Sequence, residues 1–421
     1  MALVLLPVNP RRADAAQDSV RVDQWQVTML EAQKAWEYST GAGVIVAVID
    51  SGVTANHPDL RGHVLPGIDY VREGGDGTAD EAGHGTTVAG LIAGSRDDAE
   101  GVVGLAPDAK ILPVRVLDSS NQYKEPLVVA EAIVWAVDHG ASVINLSLGS
   151  EASAAALAEA IDYAFARDVV VVACVGNVVP HASPQIWHPA REPGVIAVSG
   201  VGTDGKAWRG SLIGKETVLA APASNLMGAK PNGYEWVNGT SFAAPLVSAS
   251  AALVRSRYPK MSAANVVQRL IITARDAGLP GRDSRYGFGI VDPVAALTRA
   301  NVPLVDANPL DTTPPPGDAA FGPAGLDESV PFRTNLPAGV RAAEPVSPSP
   351  GASERPSFRA RAAQAQVPER GSMLGLAGAI TAVAVISGSI KATRLSVAGV
   401  KRPGWRWCRR RRGPRRRPGR R

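Results

Sequence analysis

"GVIVAVIDSG", residues 43–52, is a run of β-branched and small apolar residues that ends on a carboxylate, a serine and a glycine. Because polar and apolar positions do not alternate, the segment predicts a strand covered on both faces, as inside a parallel sheet. Asp50 then stands at the carboxyl end of the strand, the side on which open parallel sheets expose their functional crevice. Four further segments have the same character: 109–117, 141–149, 168–177 and 194–201. Helical spacing appears in "HGTTVAGLIAG" (84–94), "EPLVVAEAIVWAVDHG" (125–140), "SAAALAEAIDYAFAR" (153–167) and "TSFAAPLVSASAALVRSRY" (240–258). Strands alternating with helices predict an α/β domain, with a mostly parallel central sheet flanked by helices in three layers.

The chain has 421 residues, 45% of them hydrophobic, which is enough for a sizeable core. Its net charge of +5 is misleading. Residues 391–421 hold 14 Lys and Arg and no acid; taking these from the +5 leaves the first 390 residues at −9. The basicity therefore belongs to a tail, and no nucleic-acid partner is expected. Residues 303–370 contain 13 of the 33 prolines, as an extended linker would. "SMLGLAGAITAVAVISGSI", residues 372–390, carries no charge. As a helix it would be roughly 28 Å long, close to the hydrocarbon thickness of a bilayer. The arginine-rich tail behind it predicts a single pass with the tail in the cytoplasm and the preceding domain outside. The organisation expected is thus an N-terminal extension or signal-peptide remnant (1–22), a globular domain (23–300), a Pro-rich linker (301–371), a transmembrane helix (372–390) and a basic cytoplasmic tail (391–421). Cys174 and Cys408 fall on opposite sides of the span, so no disulfide between them is expected.

Three segments carry chemistry. "VIDSG" ends a strand on Asp50, "HGTTVAG" puts His84 at a helix start, and "NGTSFAAP" puts Ser241 at the start of another apolar helix. Singly, these read as a strand-end cap, a polar residue at a helix N-terminus and an N-cap. Together they supply what nucleophilic acyl transfer requires. A serine hydroxyl is inert near neutral pH until a base takes its proton, and an imidazole base needs a carboxylate to hold its tautomer and stabilise its cation.

The three segments resemble the Asp, His and Ser signatures of the subtilisin-like serine proteases, in that family's chain order, over roughly residues 25–300. The resemblance implies a seven-stranded, mostly parallel sheet, with Asp50 orienting His84 and His84 serving as base and then acid for Ser241. "VACVGN" resembles the family's oxyanion segment, which implies that Asn177 offers its side-chain amide beside the Ser241 backbone N–H. "INLSLG" resembles the strand that pairs with extended substrate, which implies a cleft lined by Ser147, Leu148 and Gly149. Cys174, Val175 and Gly176 would stand on its other wall, with Cys174 and Val175 where many relatives carry small alanines. No cofactor and no metal are expected. His57 and His63, around Asp59, read as surface-loop residues; His139 suits a helix end, and His181 and His188 an irregular loop.

The layout of protease domain, Pro-rich linker, single span and basic tail resembles the mycosins, the membrane-anchored subtilases of type VII secretion systems. It implies a membrane-tethered endopeptidase acting on protein or peptide substrates, with secretion-complex subunits as partners. The alternative is a mainly structural subunit that stabilises such a complex, with catalysis dispensable. Mycosins usually carry disulfides in the extracytoplasmic domain, whereas this chain has one cysteine there.

Overall fold

The computed structural model describes residues 19–311, apart from 98, 99, 153, 181 and 182. The expected membrane helix at 372–390 and the basic tail lie outside the described residues. Among those that are described, no helix is long and apolar enough to cross a membrane.

In chain order the elements are α1 (Ser19–Val22), α2 (Trp25–Met29), α3 (Ala32–Trp36), β1 (Ile45–Asp50), β2 (Ile68–Asp69), α4 (His84–Ala93), β3 (Lys110–Arg115), α5 (Pro126–Asp138) and β4 (Val143–Leu146). They continue with α6 (Ala155–Phe165), β5 (Val170–Cys174), β6 (Ile196–Val201), β7 (Leu219–Pro222), β8 (Leu226–Lys230), β9 (Gly233–Val237), α7 (Thr240–Arg257), α8 (Ala263–Thr273) and α9 (Pro293–Thr298). Seven strands form one parallel sheet in the order β2-β3-β1-β4-β5-β6-β7; β8 and β9 form a separate antiparallel hairpin.

The order explains where the site can be. From β1 the chain runs to β2 at the edge of the sheet, returns through α4 to β3 beside β1, and crosses over β1 to β4 through α5. Helix α7 packs against α4 and α6 against α5, which completes the three layers. Between β1 and its neighbours the direction of winding reverses, so the carboxyl end of β1 opens a crevice. Asp50 is its last residue.

Strand burial follows the continuous apolar reading: β4, β5 and β6 are buried at every position. Helix α4 is buried throughout, as is α7 from Thr240 to Val254, so neither has a solvent face to make it amphipathic. Polar starts and stops are visible where helices do reach solvent. Ser262 and Asp292 cap α8 and α9 by accepting from Asn265 N (3.3 Å) and Ala295 N (2.8 Å). Packing runs past residue 300, into the start of the stretch expected to be linker. Asn308 Nδ2 donates to Gly194 O (2.8 Å), the Leu310 carbonyl accepts from Gly194 N (2.8 Å), and Leu310 itself is buried.

Candidate active site

Asp50 and His84 meet across the crevice. His84 Nδ1 lies 2.7 Å from Asp50 Oδ1, and the two residues are 3% and 0% exposed. Asp50 Oδ1 also accepts from Ser51 N (2.7 Å). An ionised carboxylate only accepts, so the proton of the neutral imidazole is on Nδ1 and Nε2 keeps its lone pair. Nε2 is buried without a hydrogen-bond partner. The approach is close because of glycine: a methyl group on Gly85 would lie 2.1 Å from Gly52 O, and Gly52 itself has φ +97°.

A second carboxylate holds this corner. Asp80 Oδ1 accepts from Ser51 Oγ (2.8 Å) and Gly83 N (2.7 Å), and its Oδ2 accepts from Thr86 N (2.8 Å) and Thr86 Oγ1 (2.6 Å). Ser51 Oγ in turn accepts from Gly85 N (2.9 Å). Asp80 therefore ties the residue after Asp50 to the first turn of α4, where N–H groups lack intrahelical acceptors. Burial pushes its carboxyl above the ordinary carboxylate range, against the pull of the Thr86, Ser51 and Gly83 hydrogen bonds.

Ser241 is the second residue of α7 and is 1% exposed. The Phe242 ring beside it packs tilted on the His84 imidazole, with centroids 5.2 Å apart, so the start of α7 and the start of α4 face one another. Ser241 Oγ lies 3.9 Å from Cys174 Sγ, and no Ser241–His84 hydrogen bond is made in this structure. Such bonds are often long in the absence of substrate and close in the reacting complex.

Pro245 explains how the turn is held. It has no N–H to give the carbonyl four residues back, which is that of Ser241. Ser147 Oγ donates to that carbonyl instead (2.6 Å). Ser147 is itself fixed by Asn145 Nδ2 (2.9 Å), and Asn145 Oδ1 accepts from Ser248 Oγ (2.9 Å), all three residues being fully buried. A polar relay thus runs from the end of β4 into α7.

Asn177 follows β5 at the mouth of the crevice. Its Oδ1 accepts from Thr240 N (2.9 Å) and Thr240 Oγ1 (3.1 Å). The Thr240 N–H at this atom identifies it as oxygen, which leaves the Nδ2 amide as the free donor. The N–H of Phe242 goes to Gly239 O (3.0 Å), while that of Ser241 has no acceptor among the described residues. Two donors, Asn177 Nδ2 and Ser241 N, are therefore available at the start of α7. A carboxylate, a tautomerically fixed imidazole, a hydroxyl and paired N–H donors can carry out acyl transfer: proton removal from the hydroxyl, attack on a carbonyl and stabilisation of the oxyanion.

The other expected residues are placed as follows. Leu148, Cys174, Val175 and Gly176 are buried and Gly149 half-buried, on the two segments that continue β4 and β5 beyond their paired ends. The Ser147 side chain is committed to Ser241 rather than open to the cleft. Cys174 is a free thiol that burial pushes up to about 11. His57, expected on a surface loop, is instead 3% exposed: its Nδ1 accepts from Asp59 N (3.2 Å), its Nε2 faces Gly233 O (3.3 Å), and its ring stands edge-on to Tyr234. The hairpin β8–β9, absent from the sequence reading, covers it. His139 closes α5, with its ring stacked on Trp135; His188 pairs with Glu192 at 2.5 Å, and His181 lies outside the described residues. Among the described residues no three His, Cys, Asp or Glu side chains form a group that could hold a metal.

The positioning residues Asp80, Ser51, Asn145 and Ser248 were missed. Asn145 and Ser248 did carry a signal, since each is a lone polar group in an apolar strand or helix, and buried polar groups need partners.

A parallel sheet with a buried Asp–His pair at the switch point and a serine on the facing helix defines a hydrolase of the serine-peptidase class. Residues 41–289 match the family model described as the subtilase family, peptidase S8, and the chain belongs to that family. It is 39% identical over 259 residues to subtilisin DY of Bacillus licheniformis, covering 61% of this chain and 91% of that one. With mycosin-1 of Mycobacterium tuberculosis it shares 35% identity over 332 residues, 65% of this chain and 73% of that one. The crystal structure of MycP1 from the ESX-1 type VII secretion system superposes with a TM-score of 0.62 at 30% identity, covering 71% of this chain and 90% of that one. The chain is therefore a subtilisin-like serine endopeptidase related to the mycosins, and its substrates are proteins.

Proposed function

We propose that Ser241 is the nucleophile, that His84 takes its proton through Nε2 and returns it to the leaving amine, and that Asp50 holds the imidazole and stabilises its cation. Asn177 Nδ2 and the Ser241 backbone N–H receive the oxyanion. The observation that carries this reading is the buried 2.7 Å bond between His84 Nδ1 and Asp50 Oδ1, with His84 Nε2 left unpartnered beside the start of α7. Extended substrate lies along Ser147–Gly149 on one side and Cys174–Gly176 on the other. The endopeptidase is tethered by residues 372–390, with its globular domain outside and residues 391–421 in the cytoplasm, and works beside a secretion complex. The tether is supported by the uncharged nineteen-residue stretch and the arginine tail. The secretion association is supported by the likeness to MycP1.

Fluorophosphonate labelling of the full chain tests the site, since such probes report an activated serine. Wild type is expected to label at Ser241 and to lose labelling in Ser241→Ala and in His84→Ala. Labelling that survives Ser241→Ala, or its absence from folded wild type, refutes the assignment.

A further inference from the structure

Resting on Ser241 as nucleophile, we propose that Trp187 fills the pocket for the side chain on the acyl side of the scissile bond, so that this chain cuts after glycine, alanine or serine. Strands β4 and β5 pair as far as Leu146 and Ala173, and beyond that point Ser147–Gly149 and Cys174–Gly176 form the two walls of a slot that runs to Ser241. With substrate lying along these two walls as proposed, the residue whose carbonyl sits between Ser241 Oγ and the Asn177 amide directs its side chain at that slot.

The slot is occupied. Trp187 N donates to Val175 O (3.1 Å) on one wall, while His188 exchanges hydrogen bonds with Ser150 (2.8 and 3.1 Å) just beyond the other. The segment carrying Trp187 is therefore laced across the gap. A methyl group on Gly176 would lie 2.5 Å from Trp187 Cδ2, and one on Gly149 would lie 3.0 Å from Trp187 Cβ. One side chain thus touches both walls, and both walls are glycine at the points of contact. The indole is 4% exposed and belongs to the main core. The end of the slot nearest the nucleophile holds the Cys174 thiol, 3.9 Å from both Leu148 O and Ser241 Oγ. With the indole against both walls, the slot as proposed leaves room for no more than a hydrogen, methyl or hydroxymethyl group. A leucine or phenylalanine side chain must displace a packed tryptophan, and close-packed interiors do not yield such volume cheaply.

The test uses two peptidyl diphenyl phosphonates, identical except for alanine or phenylalanine at the phosphonate-bearing residue. Ser241 Oγ forms the phosphorus–oxygen bond as phenoxide leaves, and the adduct is read by mass on the full chain. Each rate is divided by that of a fluorophosphonate without a side chain on the same variant, which reports the reactivity of Ser241. Wild type is expected to prefer the alanine probe by about 100-fold or more. Trp187→Gly is expected to cut that preference at least about tenfold, with Trp187→Val in between. A wild type that takes both probes equally overturns the proposal, as does a labelled Trp187→Gly or Trp187→Val that keeps the wild-type preference. If the plain fluorophosphonate fails to modify Ser241, the nucleophile assignment has failed, and this inference falls with it.

Discussion

Replacing Asp80 by alanine removes the acceptor of two backbone N–H groups, Gly83 and Thr86, and of two hydroxyls, Ser51 and Thr86. The hydroxyls retain other bonds: Ser51 Oγ accepts from Gly85 N, and Thr86 Oγ1 accepts from Thr54 N and reaches Thr54 Oγ1 (3.1 Å). The cost therefore comes mainly from the two N–H groups, at about 1–3 kcal/mol each when left buried and unpaired. Removing a carboxylate whose burial raises its pKa returns part of this, for a net loss of about 2–4 kcal/mol. In a domain of this size that lowers the unfolding temperature by about 3–7 °C. Asparagine preserves the shape and one acceptor, so its loss is about half as large. The activity effect is separate. Without Asp80 the turn after Asp50 is no longer bound to the first turn of α4, and kcat is expected to fall about 10- to 100-fold with KM nearly unchanged. Calorimetry and steady-state hydrolysis of a peptide substrate measure the two effects. An Asp80→Ala protein with unfolding temperature within about 1 °C and kcat within about twofold of wild type would refute the role assigned to this residue.

Asn177→Ala is expected to lower kcat by about 10²–10³-fold with little change in KM, a magnitude taken from a member of the same family; a change in KM alone would count against the oxyanion role. Cys174, with its thiol near 11 against an ordinary 9, keeps its proton better in the folded state. Its contribution to stability is therefore intact below pH 9 and is lost as pH rises through 11, by at most about 3 kcal/mol. Cys174→Ala should unfold less steeply with pH across that window in denaturant titrations, and identical slopes would contradict the assignment. The same thiol should resist alkylation in native protein at pH 8 and react after unfolding.

Much of the site was legible because its chemistry is local in sequence. Asp50, His84 and Ser241 each sit where an apolar run begins or ends, and flanking glycines mark where backbone must pass close to backbone. Asn177 and Cys174 were picked out only by the likeness of "VACVGN" to the oxyanion segment of the subtilases. The partners that hold these groups were not. Asp80 gives no periodic signal in an irregular stretch; its bonds to Gly83 and Thr86 are local, but the one from Ser51 exists only because the end of β1 and the start of α4 meet. His57 was misread because the hairpin that buries it, β8–β9, lies more than 160 residues further along the chain.

The sequence by itself determined the alternation of buried strands and helices, the α/β class and the residue types for acyl transfer, since each follows from hydrophobic patterning and local turn chemistry. Strand order, which decides that the end of β1 is a crevice, came only from the tertiary structure, as did the bonding of Ser147 to the Ser241 carbonyl that Pro245 leaves unpaired. The placing of Trp187 between Gly149 and Gly176 was decided there too. Most of these contacts join segments tens of residues apart, selected by packing the whole core at once, and no short window along the chain contains all the partners.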